Sequence, residues 1–121
     1  MKLVQLMTTA ALLSAAAAAH ALDVKPYSAA ALAEAQKADK PVALHFRAEW
    51  CPTCRAQDEL LDAMKSEPGL DITVQAVNYD TERDLKQQFA IRSQSTLVVL
   101  RGQKETSRSI NDTTAAGLRT A

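Results

Sequence analysis

The chain is short of aromatics, at 4 % of its 121 residues, holds only two cysteines and two histidines, and carries no surplus of either charge. Each shortage excludes something. With 14 acidic and 14 basic side chains cancelling, nothing in the charge points to nucleic acid or another polyanion as a partner. Two cysteines and two histidines leave a closed structural zinc site short of ligands, because His20 falls in the N-terminal leader and only His45 remains beside Cys51 and Cys54. The apolar share of 47 % excludes a disordered chain, and the length suits one compact domain rather than two. There is no internal repeat, low-complexity linker or second domain. The core has to be filled with few aromatic rings.

The leader is the first positive feature. MKLVQLMTTAALLSAAAAAHA has Lys2 behind the initiator, a largely apolar stretch and Ala19-His20-Ala21 as a small-x-small cleavage site, the pattern of an export signal over residues 1–21. With Lys2 as its only charge, an uncleaved membrane anchor is the alternative. Leu22 follows the cut where a lipid-anchored protein needs cysteine. The folded domain is then residues 22–121, working in an oxidising compartment where a disulfide persists.

Along that domain, Ser28 caps a predicted helix that stops at Pro41, and Val42 to Phe46 forms a short apolar run suited to a buried strand. The segment after the cysteines predicts a helix with Ala56, Leu60, Ala63 and Met64 on one face, ended by Pro68-Gly69. Ile72 to Asp80 alternates as a strand, and Thr81 is the expected cap of a helix over Glu82 to Phe89. TLVVLRGQKETSRSI reads as a hairpin turning at Gly102, with Asp112 capping a last helix from Thr113 to about Arg119. Strand, helix, strand, helix and hairpin describe an α/β fold: a small mixed sheet with helices on both faces. Phe46, Leu60, Met64 and Phe89 are assigned to its core, and Arg83, Asp84 and Lys86 to a solvated helix face.

Cys51 and Cys54 raise three alternatives: a staple, a metal grip or electron exchange. As a staple the pair is poorly placed, since closing two intervening residues removes only about 2 kcal/mol of chain entropy against about 3 for a 15-residue loop. Within a helix, residues three apart hold their β-carbons about 5–6 Å apart, too far for a disulfide. If Cys51 is instead the N-cap, Pro52 takes the first helical position, where its missing N–H costs nothing, and the sulfurs can meet. The amides of Thr53 and Cys54 then point at the Cys51 sulfur, and the helix dipole favours its thiolate. Cys54, one turn inside, is the more thiol-like partner that resolves a mixed disulfide. Arg47 and Arg55 favour negative charge at the pair, and Glu49 opposes it.

VALHFRAEWCPTCR resembles the strand, loop and helix start of the active site in thioredoxin-fold proteins, with Trp50, Cys51 and Cys54 as the most specific part. Asn78 to Asp80 looks like the end of that family's next strand, and AIRSQSTLVVLRGQKE resembles the segment that closes the site. With the leader adding export to a bacterial envelope, the resemblance implies a thioredoxin-like fold and a thiol–disulfide oxidoreductase with no cofactor. Its substrates are protein or small-molecule disulfides and dithiols, and a separate redox protein recharges it; a monomer is expected, free of the membrane once the signal is cut.

By the same resemblance Trp50, Pro52, Thr53, Ser95 and Thr96 form the substrate-contacting rim. Three departures stand out. Ser95 replaces the family's cis-proline, and a serine cis bond costs about 2.5–4 kcal/mol, so either the Gln94–Ser95 bond is trans with a reshaped loop or strain is held there. His45 replaces a buried acid, which places an imidazole as a proton relay near Cys54 or as a satisfied core histidine. Ala76 replaces the lysine that often partners that acid. Pro52-Thr53 is similar to glutaredoxins and periplasmic disulfide oxidants, and does not set a potential. Losing the proline also opens a metal or iron–sulfur alternative through Cys51 and Cys54, with or without His45 and with a dimer sharing ligands as one form of it, and an adaptor without exchange activity.

Overall fold

A computed structural model describes residues 21–120; the expected signal over 1–21 lies outside them apart from Ala21. Its elements are β1 (Asp23–Pro26), α1 (Ala29–Lys37), β2 (Pro41–Arg47), α2 (Pro52–Met64), β3 (Thr73–Asn78), α3 (Arg83–Gln88), β4 (Thr96–Arg101), β5 (Lys104–Ile110) and α4 (Ala115–Thr120). The sheet order is β1-β3-β2-β4-β5, parallel from β1 through β2 and antiparallel from β2 through β5. This is the expected mixed sheet with its parallel unit and hairpin.

β2 lies at the centre, so both of its faces are buried and Val42 through Phe46 have almost no exposure. Strand alternation divides them. Val42, Leu44 and Phe46 join Val77, Val98 and Leu100 against Leu32 of α1 and Leu85 of α3. Ala43 joins Val74, Leu97 and Val99 on the opposite face, against Leu61 and Met64 of α2 and Leu118 of α4. His45 follows Ala43 on that second face, which directs its buried imidazole toward α2.

Several local expectations shift. β1 has no counterpart in the reading from sequence, because four residues with one aliphatic and a terminal proline carry no periodic signal; pairing with β3 makes it a strand. α2 buries Cys54, Gln57, Leu61 and Met64, whereas Ala63 is exposed and Ala56 and Leu60 are half-buried. The helix is turned so that Cys54, Gln57 and Leu61 face the sheet beside Met64, which is buried as expected, and half-buried Leu60 packs at the rim of the same cluster. α3 begins after Glu82 with no side-chain cap, since Asn78 takes the preceding turn: its carbonyl accepts from the Thr81 and Glu82 amides and its side chain from Asp80. At α4 the capping oxygen is Thr114 Oγ1, accepting from the Gly117 amide, while Asp112 Oδ1 holds Thr114. Arg83 and Asp84 are exposed as expected, but Lys86 lies over the Tyr79 ring, 4.0 Å from its centre. Ser28 caps α1, and Gly102, at φ +59°, turns the hairpin.

Candidate active site

β2 ends at Arg47, and three residues later the chain enters α2 with Cys51 as its N-cap and Pro52 in the first turn. Cys51 has the extended backbone of a cap, φ −95° and ψ 107°, which brings its Cα to 5.2 Å from that of Cys54. The two sulfurs are bonded. Of the two amides expected at the first sulfur, that of Cys54 donates to Cys51 Sγ at 3.1 Å. The helix end thus directs its partial positive charge at Cys51.

Both sulfurs are nearly covered: Cys51 is 2 % exposed and Cys54 0 %. Ala48 and half-buried Tyr79 pack around them. From the loop just before the neighbouring strand β4, Ser95 sets its hydroxyl 3.2 Å from Cys51 Sγ and 3.1 Å from Cys54 Sγ. No peptide bond is cis among the described residues, so Gln94–Ser95 is trans, and the departure from proline appears as a left-handed backbone at Ser95, φ +64°. Three bonds hold that backbone: Ser95 N–H donates to Phe46 O at 2.9 Å, and Ser95 O accepts from Asn111 N–H at 3.0 Å and from Gln57 Nε2 at 3.2 Å.

The rest of the expected rim is divided. Trp50 is 56 % exposed, its indole Nε1–H donating to Asp80 Oδ2 at 2.9 Å, so the ring is held by one edge with its face toward solvent. Pro52 is exposed and Thr53 half-buried beside it. Thr96 is buried and donates its hydroxyl to Ser93 O at 2.9 Å, inside its own turn.

His45 is brought to Gln57, not to a sulfur: Nε2 lies 2.7 Å from Gln57 Oε1, and among the described residues no hydrogen bond joins the imidazole to Cys51 or Cys54. The tautomer follows from the neighbours. Gln57 Nε2 faces two carbonyls, Ser95 O and Asp112 O (2.9 Å), which can only accept. Its Oε1 therefore faces His45, and His45 Nε2 carries the hydrogen. Nδ1 is left facing Asp58 Oδ1 at 3.6 Å.

Burial is the dominant influence on His45 and holds its pKa below the ordinary histidine value; the Gln57 bond and Asp58 raise it, and Arg47 lowers it. Asp58 is shared with Arg47, which grips both of its oxygens at 2.8–3.1 Å while also binding Glu49. Arg47 is therefore engaged away from the sulfurs. The sign for stability is fixed: with the folded value lowered, the unfolded chain takes up the proton first, so the neutral imidazole's contribution is whole above about pH 6.5 and is lost as pH falls from there toward the folded value. Urea midpoints are expected to fall between pH 7.5 and 5.5, with the His45 ring still neutral by NMR at the upper end of that fall. A flat midpoint across the interval would refute the assignment.

Gln57, Asp58, Tyr79 and Asp80 were not singled out in the sequence. Gln57 alone had a local signal, since it lies three residues after Cys54 on the same helical face.

Comparison with known proteins agrees with this geometry. The family model described as Thioredoxin matches residues 24–121. The crystal structure of Trxlp from Edwardsiella tarda EIB202 superposes with a TM-score of 0.74 at 39 % identity, covering 79 % of this chain and 94 % of that one. The thioredoxin of Alicyclobacillus acidocaldarius is 33 % identical over 69 residues, which is 57 % of this chain and 66 % of that protein, just under two thirds of its length. Thioredoxin NaTrxh from Nicotiana alata shares the fold, with a TM-score of 0.69 at 20 % identity over 82 % of this chain and 89 % of that one. These likenesses and a cysteine pair at bonding distance support thiol–disulfide oxidoreductase activity. By its sequence across residues 24–121, its five-stranded mixed sheet and its Trp-Cys-Pro-Thr-Cys helix start, this chain belongs to the thioredoxin family.

Proposed function

We propose that this chain is an exported thiol–disulfide oxidoreductase of a bacterial envelope, exchanging electrons with protein or small-molecule disulfides and dithiols through Cys51 and Cys54. The observation that carries the reading is the bonded pair at the amino end of α2, with Cys51 as cap and the Cys54 amide donating to its sulfur. The leader over residues 1–21 supports export, and the resemblance supports a separate protein as the source or sink of electrons.

In the reducing direction the Cys51 thiolate attacks a substrate disulfide and expels one substrate thiolate, leaving a mixed disulfide. Cys54, deprotonated, attacks the Cys51 sulfur, forms the bond seen here and releases the second substrate thiolate. The oxidising direction runs the same steps backward. Cys51 retains the little exposure the pair has, so a partner meets it first, once the covering segments around Ser95 and Tyr79 yield. Trp50 presents a flat surface beside it, with Pro52 and Thr53 at the helix entrance. His45 holds Gln57, and its bare Nδ1 is the proton-accepting atom on this side of α2.

Within a single chain, a zinc or iron–sulfur site needs further ligands beside the two sulfurs. His45 is committed to Gln57, and among the described residues no group of three or more His, Cys, Asp or Glu side chains is placed to hold an ion. The deciding experiment is a trap. Cys54→Ser protein incubated with a disulfide substrate should accumulate a covalent adduct at Cys51, seen by mass spectrometry and released by a reducing agent. Wild type should turn over without it. No adduct at Cys51 refutes the reading and leaves a non-catalytic adaptor.

A further inference from the structure

We infer that the Ser95 hydroxyl is the hydrogen-bond donor that stabilises the thiolate of either active-site sulfur, a catalytic residue standing where the family carries a proline. The inference rests on the exchange chemistry proposed above and adds a group to it. Ser95 Oγ is buried and almost equidistant from the two sulfurs, 3.2 Å from Cys51 and 3.1 Å from Cys54. A hydroxyl has one proton and a free rotor, so it donates to one sulfur at a time and turns toward the one bearing charge.

Backbone conformation argues that the side chain is why serine is there. At φ +64° a glycine would avoid the steric cost that a β-carbon brings. Relative to glycine, serine adds only that β-carbon and the oxygen on the sulfurs. The three backbone bonds from Phe46, Asn111 and Gln57 keep the residue in this conformation and aim the oxygen before any substrate arrives.

The electron count shows where the donor acts. When a substrate thiolate attacks Cys51 Sγ, the Cys51–Cys54 bond breaks and its electron pair leaves on Cys54 as a thiolate with no solvent around it. The Ser95 hydroxyl donates to that anion. When the second substrate thiolate attacks the substrate sulfur of the mixed disulfide, the pair leaves on Cys51, and the hydroxyl joins the Cys54 amide in holding it. The substrate dithiol has lost two electrons and the protein disulfide has gained them. In the opposite direction the same donor raises the fraction of each attacking thiol that is ionised near neutral pH, which outweighs the accompanying loss of nucleophilicity.

The test uses reduced Ser95→Ala and Ser95→Gly proteins, whose fold is checked by circular dichroism. Thiolate formation is followed by its ultraviolet absorbance as pH is raised, and exchange by reaction with glutathione disulfide near neutral pH. Both variants are expected to need a higher pH to form the first thiolate and to exchange roughly three- to tenfold more slowly, since a hydrogen bond to a charged acceptor is lost and the gain in nucleophilicity offsets only part of the fall in thiolate fraction. Glycine removes the backbone cost together with the hydroxyl. An alanine defect that glycine restores, or thiolate formation at an unchanged pH in both variants, would overturn the inference. The ionisation readout needs no substrate: the same upward move in a protein that exchanges nothing supports the hydroxyl–thiolate contact and sinks the functional proposal alone.

Discussion

Cys51→Ser is expected to lose thiol–disulfide exchange completely, down to the rate of the buffer, while the domain stays folded. The chain has two cysteines, and a serine oxygen neither attacks a disulfide nor forms one, so Cys54 is left covered and without a partner. Structure is spared because of what Cys51 does for the backbone. It is the N-cap of α2, accepting from the Cys54 amide, and serine is among the best residues for that task. The cost relative to oxidised wild type should therefore be that of opening a very short loop, about 2 kcal/mol, and close to nothing relative to reduced wild type. Denaturant curves of the three species check this beside the exchange assay. Residual turnover by the variant, or a stability far below that of reduced wild type, would show that Cys51 is not the reacting cap described here.

Gln57→Leu should produce the largest loss of stability among the site residues, about 3 kcal/mol, or a fall in melting temperature of roughly 10–20 °C. The swap is nearly isosteric, so the effect is not one of volume. It strips partners from His45 Nε2 and Asp112 O and one of two partners from Ser95 O; a buried polar group without a hydrogen bond costs about 1–3 kcal/mol. These three groups belong to β2, the Ser95 loop and the segment before α4, so one carboxamide ties three parts of the chain to α2. The denaturant midpoint should move with the slope unchanged, since the same surface is exposed on unfolding. A loss below about 1 kcal/mol would mean that water replaces the amide and that the network is not sealed.

How much of this was legible depends on how far apart the interacting residues lie. The cap of α1, the central strand, the N-cap position of Cys51, the proline behind it and the hairpin at Gly102 all follow from neighbours within about four residues, where helix and turn rules operate. The structure departs from these rules where two of them compete. Thr81 is a good capping residue, but Asn78 claimed the turn first; Ala56, Leu60 and Ala63 make an apolar stripe, but Cys54, Leu61 and Met64 make another, and it is this one, with Gln57, that α2 buries.

Taken alone, the amino-acid order determined the α/β class, most helix and strand positions and the inequivalence of two cysteines at a helix start, and through the family resemblance it marked the departure from proline at Ser95. What only the tertiary structure decided is the company those groups keep: Ser95 on both sulfurs from 44 and 41 residues away, Gln57 on Asp112 across 55, β1 beside β3, and the covering of Cys51. The reason is geometric. A backbone period fixes which face a residue takes on its own element, whereas the partner across the sheet depends on how all the elements pack at once.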